Sequence, residues 1–381
     1  MPLDLARQVV IRWSDPDPRH VPLLRQGSVE AVLLERPNEA FERACSDAGI
    51  ATAPSSAAAQ VSDHGLWPGV RSSGTQGRGD ETASASRDPW LDANGFLVAY
   101  LRALHPDRPP VLGYLPNDKA GLAKDRMVPF NTLETALVEA RIGGGNYLLA
   151  LEPRYRTALL AGDAKALDAW KRLGSTAKWL QQKMELFGRA VPPTVTMLVE
   201  EGDATEELAN LAYRRNTCPA LALAANPPRP APDTLLCLCA ASIKPPAAVV
   251  RARILAHAEA GATVVVDEPG EKAWWRDARM KPVKDEGDRT VFALGKGRLI
   301  AYSETIVDPS EFALDLIDFV GHKLRPARHW NANTIILLPT AGRRPSEALL
   351  HIVNYGSPID RDVQVRIQGQ FTSAALERPD A

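Results

Sequence analysis

The sequence predicts an α/β protein in three parts: a compact (β/α)8 barrel over residues 1–190, a doubly wound α/β unit over 191–325, and a small antiparallel β-domain over 326–381. Three observations predict it. Short apolar runs alternate with helical patterns through the first half, which implies parallel strands joined by helical crossovers. The alternation resumes after residue 190 with a fresh set of strands. Beyond residue 326 the helical pattern stops, and only short strands separated by Gly, Pro and Asp remain. A length of 381 residues agrees with two or three domains.

The first part opens with QVVIRW as a strand and HVPLLRQG as a short helix. EAVLLE is the second strand. PNEAFERACSDAG is helical by the spacing of Phe41, Ala44 and Cys45, with Gly49 as its stop. IATAP is the third strand and GLWPGV the fourth. FLVAYLRALH is a helix, PVLGYLP and MVPF are strands, and MVPF is counted as the seventh. TLETALVEARI is a helix, followed by Gly143, Gly144 and Gly145 and the strand NYLLALE, and a long helical region runs from Tyr155 to Phe187. The stretch 54–90 is rich in Ser, Ala, Gly and Thr without apolar periodicity, and reads as a surface loop or a substrate-covering one.

In the second part PPTVTMLVE, ALALAAN, LLCLCAA and ATVVVDEP are strands, with EELANLAYRRN and PAAVVRARILAHAEAG as helices. TVFALGKGRLIAYSE is a hairpin turned by Gly295 and Gly297, and SEFALDLIDFVGHKL is the closing helix. RPARHWNA then reads as a linker, and TIILLP, ALLHIVNY, VQVRIQ and FTSAALE as the four strands of the last part.

Composition excludes several classes. With 45 basic and 46 acidic residues the chain has no basic excess, so no nucleic-acid partner is expected. No run of 18 apolar residues predicts a membrane span. The N-terminus lacks the pattern of a signal peptide, so the cytoplasm is the default compartment, or an extracytoplasmic one if a leader has been removed. Four cysteines do not make a disulfide framework, and the seven histidines show no metal-binding spacing, so neither a metal nor a cofactor is expected. IGGGN precedes a strand instead of opening a helix, and GKG lacks the Ser/Thr of a phosphate loop, so nucleotide binding is not expected.

The order of the three parts, with the phrases HWNANTII, ALLHIVNYGSPIDRDVQVRIQGQFTSAAL and YSETIVDPSEFALDLIDF, resembles the bacterial β-galactosidase-type glycoside hydrolases. The resemblance implies a TIM-barrel hydrolase domain, a class I amidotransferase-like trimerisation domain that is not catalytic, and a small C-terminal β-domain. It implies a retaining enzyme for β-linked sugars, a carbohydrate ligand, and a homo-oligomer formed through the middle domain. The middle part lacks the G-x-C-x-G elbow of an amidotransferase, since Cys218 and Cys239 follow no such glycine.

A retaining glycosidase needs two carboxylates about 5 Å apart at the C-terminal ends of barrel strands. The resemblance would place them after strands four and seven, the first within an Asn-Glu pair. Here GLWPGV carries no Asn-Glu, and MVPF is followed by Asn131. The carboxylates that do end strands are Glu35 and Glu152, which become the catalytic candidates, with a strand-end salt bridge or helix cap as the plainer reading. Glu152 is the stronger one, because Pro153 offers no backbone N–H to absorb its carboxylate. Trp13, Trp67 and Tyr114 are candidates for stacking on sugar faces, and Asn94 and Asn131 for hydrogen bonds to sugar hydroxyls, Asn94 reading equally as a helix start. The alternative is a non-catalytic glycan-binding or scaffold protein.

Overall fold

A computed structural model describes residues 2–379 except 63–64, 66–67, 69–92, 115–127, 239–245, 268–272, 305, 307–308, 332–333 and 356–361. Most of the predicted 54–90 loop and four of the six residues of GLWPGV lie outside the described residues.

The first part runs β1 (Val10–Trp13), α1 (Val21–Gln26), β2 (Ala31–Leu34), α2 (Glu39–Asp47), β3 (Ala51–Pro54), α3 (Gly95–Leu104), β4 (Val111–Gly113), α4 (Thr132–Ile142), β5 (Asn146–Ala150), α5 (Pro153–Leu160) and α6 (Ala164–Gln182). Local chemistry sets the helix starts. Asn38 accepts from Phe41 N at 2.9 Å while Glu42 accepts from Asn38 N at 2.9 Å, a reciprocal cap that opens α2.

The five strands are parallel, in the order β3-β2-β1-β5-β4. β1 therefore sits between the second strand and the last, as at the seam of a barrel. Ile11, Trp13, Val32, Leu34, Leu112 and Leu149 face the helices in one large core. The opposite face, with Val10, Ala31, Leu33, Val111 and Leu148, is covered by Leu5 from the N-terminal segment and by Ala58 from a single 3-10 turn, Ser55–Ala58. Among the described residues the α-helices thus lie on one side only. Past β4, Ser62 N donates to Val111 O at 2.9 Å and Gly65 N to Gly113 O at 3.1 Å.

The expected eight-stranded ring is not present among the described residues, where this sheet has five strands and does not close. MVPF explains part of the difference. Val128, Pro129 and Phe130 form no strand and lead through a turn into α4, where a proline could not have donated to a ladder in any case.

The second part runs β6 (Val195–Val199), α7 (Asp203–Arg214), β7 (Ala220–Leu223), β8 (Leu235–Cys237), α8 (Ala248–Ala260), β9 (Thr263–Val266), β10 (Lys281–Asp285), β11 (Arg289–Leu294), β12 (Gly297–Tyr302) and α9 (Pro309–Leu324). Its sheet order is β10-β11-β12-β9-β8-β6-β7. The parallel strands follow the doubly wound order 2-1-3-4-5, with α8 on one face and α7 and α9 on the other. The hairpin falls where the glycines stand. Gly295 has φ +60°, and a Cβ there would lie 2.6 Å from Glu259 Cα. β10 has no signature in the sequence, because its KPVKD stretch is exposed throughout and shows no apolar alternation.

The C-terminal part contains β13 (Ala327–Trp330), β14 (Ile335–Ala341), β15 (Ala348–Asn354) and β16 (Gln364–Ile367), paired antiparallel as β13/β16 and β14/β15. Two expectations are corrected. ARHW, read as linker, is a strand held by Gln364–Ile367. FTSAALE, read as a strand, forms none and is exposed, having no neighbour to pair with.

These parts are joined by specific bonds. Tyr100 on α3 donates to Glu200 O at 2.7 Å and accepts from Gly202 N at 2.9 Å, seating the first part against the loop after β6. Asn216, at φ +56°, donates to Ile335 O at 2.9 Å and accepts from Leu337 N at 2.7 Å, so its amide serves as a short extra edge for β14.

Candidate functional site

In sheets wound this way, chemistry belongs to the C-terminal ends of the strands. At that end of β1, Trp13 is only 2% exposed and donates from Nε1 to Asp15 O at 2.5 Å. Its indole edge meets the His20 ring at 6.0 Å. At the end of β4, Tyr114 is buried as well. Neither ring offers an open face for a sugar. Trp67 lies outside the described residues.

Glu35 follows β2 in an exposed bend. Glu152 follows β5 and is the N-cap of α5, where one carboxylate oxygen accepts from Arg154 N at 2.9 Å and Tyr155 N at 3.1 Å. Pro153 occupies the first helical position. The expectation that proline would leave the carboxylate free is corrected by this geometry, since a cap bonds the second and third N–H groups and not the first. Among the described residues no hydrogen bond or ion pair joins Glu35 to Glu152.

Asn94 and Asn131 are placed far apart in character. Asn131 is exposed at the start of α4. Asn94 is completely buried, and its side chain does not cap α3. Its backbone N donates to Glu139 at 2.8 Å and its Nδ2 to the other oxygen of the same carboxylate at 3.1 Å. Glu139 reaches in from α4 and also bonds Gly95 N and the hydroxyl of Tyr355, just past β15. Burial pushes this carboxyl up to about 7 against the pull of those hydrogen bonds. The Tyr355 hydroxyl is raised well above its ordinary value, first by burial and then by Glu139. Sequence reasoning passed over Glu139. The available signal was its place on a helix otherwise lined by Leu133, Ala136, Leu137 and Ala140, which leaves little solvated surface for a charge.

The thiols of the second part are not activated. Burial raises Cys218 to about 12 and raises Cys237 further, the opposite of what a nucleophile needs. Cys239 lies outside the described residues. Among the described residues no group of three or more His, Cys, Asp or Glu could hold a metal ion. No helix among them is long and apolar enough to cross a membrane.

One concavity lies against the helices of the first part. A groove of about 970 Å³ is lined by residues of α4, α6 and β15, with Asn131 and Asn354 among them. Glu134 in its wall accepts from Thr176 Oγ1 at 2.7 Å and lies 3.7 Å from the Arg172 guanidinium.

The chain is similar in structure to glycoside hydrolases. A GH42 β-galactosidase from G. stearothermophilus matches at 12% identity and TM-score 0.45, over 75% of this chain and 54% of that one. The cold-adapted β-galactosidase from Rahnella sp. R3 matches at 11% identity and TM-score 0.45, over 91% of this chain and 58% of that one. α-L-Fucosidase isoenzyme 2 from Paenibacillus thiaminolyticus matches at 8% identity and TM-score 0.45, over 95% and 93%. This chain spans little more than half the length of the two β-galactosidases. No protein-family model matches the chain, and no curated protein does.

Proposed function

We propose that this chain is a glycoside-hydrolase-like protein that binds carbohydrate without hydrolysing it, on a sheet wound as in a (β/α)8 barrel. The carbohydrate half of the reading rests on the order of the parts, which resembles the β-galactosidase-type hydrolases. The seam order β2-β1-β5 and the confinement of the described α-helices to one face support the barrel-type winding. The observation that carries the loss of hydrolysis is the Glu152 cap. A retaining site needs one carboxyl that holds a proton for the leaving oxygen and a second that attacks. One oxygen of Glu152 is taken up by two backbone N–H groups that close a helix end, which holds the carboxylate in place as a cap. Glu35, the other candidate, is exposed and makes no hydrogen bond or ion pair among the described residues.

The test is a panel of chromogenic aryl β-glycosides, assayed with the wild type and with Glu152→Gln. No turnover above the uncatalysed rate is expected from either. Turnover by the wild type that falls about 10² or more in Glu152→Gln would make Glu152 an acid–base group and reject the reading. Turnover equal in both proteins would reject it too, and would remove Glu152 from the site.

A further inference from the structure

We propose that the groove between α4, α6 and β15 is where the protein binds a neutral β-linked oligosaccharide. The inference rests on the carbohydrate reading above and gives that ligand a place. At the strand ends Trp13 and Tyr114 are buried, so the described surface there offers no aromatic face for stacking. The groove, by contrast, has both surfaces that a sugar needs.

Its volume of about 970 Å³ is at the upper end for small-molecule sites. Part of its lining is apolar. Phe130, Val138 and Ile352 belong to it, and Ile352 is 46% exposed on β15, where an apolar side chain gains nothing from water. Such a surface suits the C–H face of a pyranose. The rest of the lining carries hydrogen-bonding groups with capacity to spare. Among the described residues the side chains of Asn131, Asp168 and Lys171 make no hydrogen bond or ion pair, while they line the same groove. Glu134 is already held by Thr176 and Arg172, so one acceptor is fixed in advance of any ligand.

Charge narrows the class. The walls bring Lys165, Lys171 and Arg172 against Glu134 and Asp168. Carboxylates facing the groove would repel a polyanion, and the three cations would repel a cationic ligand. A neutral polyhydroxyl compound can use both kinds of group, accepting from the ammonium and amide N–H groups and donating to the carboxylates.

The experiment is calorimetric titration of the full chain with the β-1,4-linked trisaccharides of glucose, galactose, mannose and xylose. Wild type is compared with Asp168→Ala, Lys171→Ala and Glu35→Gln. Asp168 and Lys171 are exposed on α6, so neither change disturbs the core. Binding of at least one trisaccharide is expected, weakened about tenfold by Asp168→Ala or Lys171→Ala, an amount that fits loss of a charge-assisted bond, and unchanged in Glu35→Gln. Binding that survives both α6 changes, or that is lost in Glu35→Gln, would overturn the groove and leave the carbohydrate reading standing. No binding of any trisaccharide by the wild type would overturn both.

Discussion

Pro153 removes a single backbone N–H, the one at the first helical position, and so marks Glu152 as the residue that caps α5. The second and third N–H groups, of Arg154 and Tyr155, are the ones a cap satisfies, and both point at its carboxylate. Replacing Glu152 with Ala should lower stability by about 0.5–2 kcal/mol. Glu152→Gln, which keeps an acceptor oxygen, should cost much less. Urea denaturation measures both, and an Ala variant as stable as wild type would contradict the cap. Glu139 presents the reverse case, a carboxylate that burial makes reluctant to ionise. Its value rises from 4.5 to about 7 in the folded chain. The folded state therefore holds this proton more tightly than the unfolded state does. The resulting stabilisation is complete below about 4.5 and is lost as pH rises through about 7. Across that window the wild type should lose on the order of 3 kcal/mol relative to Glu139→Gln. Parallel stability–pH curves for the two proteins would show that Glu139 does not titrate this way.

Elements with a buried stripe could be read directly. NEAFERACSD announces α2 through its cap and its apolar positions, and NYLLALE announces β5 as a continuous buried run. What could not be read depends on partners distant in sequence. β13 is a strand because Gln364–Ile367 lies beside it, and its own residues, ARHW, show no apolar alternation. FTSAALE has a strand-like composition and no such neighbour. The site was legible only in part for the same reason. Asn94 could be seen as a helix start, but the buried carboxylate that satisfies it comes from α4, 45 residues away. Asn216 shows how one side chain fastens an element. Its amide bonds both Ile335 O and Leu337 N, so Asn216→Ala should leave two strand-edge groups without their partner and cost about 1–3 kcal/mol. Asn216→Asp retains the acceptor for Leu337 N but loses the donor to Ile335 O, and should fall between. Thermal unfolding of the three proteins checks the order, and equal midpoints would contradict it.

On the scale of the whole molecule the first two parts share one apolar core. It runs from Ile11 and Trp13 through Tyr100 and Tyr213 to Phe312 and Leu316 without interruption. Those parts should therefore unfold together. Near- and far-ultraviolet circular dichroism should trace a single coincident transition in urea, whereas two separated transitions would show that the shared core does not couple them. In the first part Glu152 serves a helix cap and Glu35 faces solvent, while the groove lies on the helical side of the sheet. Binding without cleavage has two halves that a single observation addresses. Saturation-transfer difference NMR on an intact β-1,4-linked trisaccharide, followed over hours with the wild-type chain, reports bound sugar protons and any new reducing-end anomeric signal together. Saturation transfer to the sugar with no new anomeric signal is expected. A growing anomeric signal, or no transfer to any β-linked trisaccharide, would contradict it.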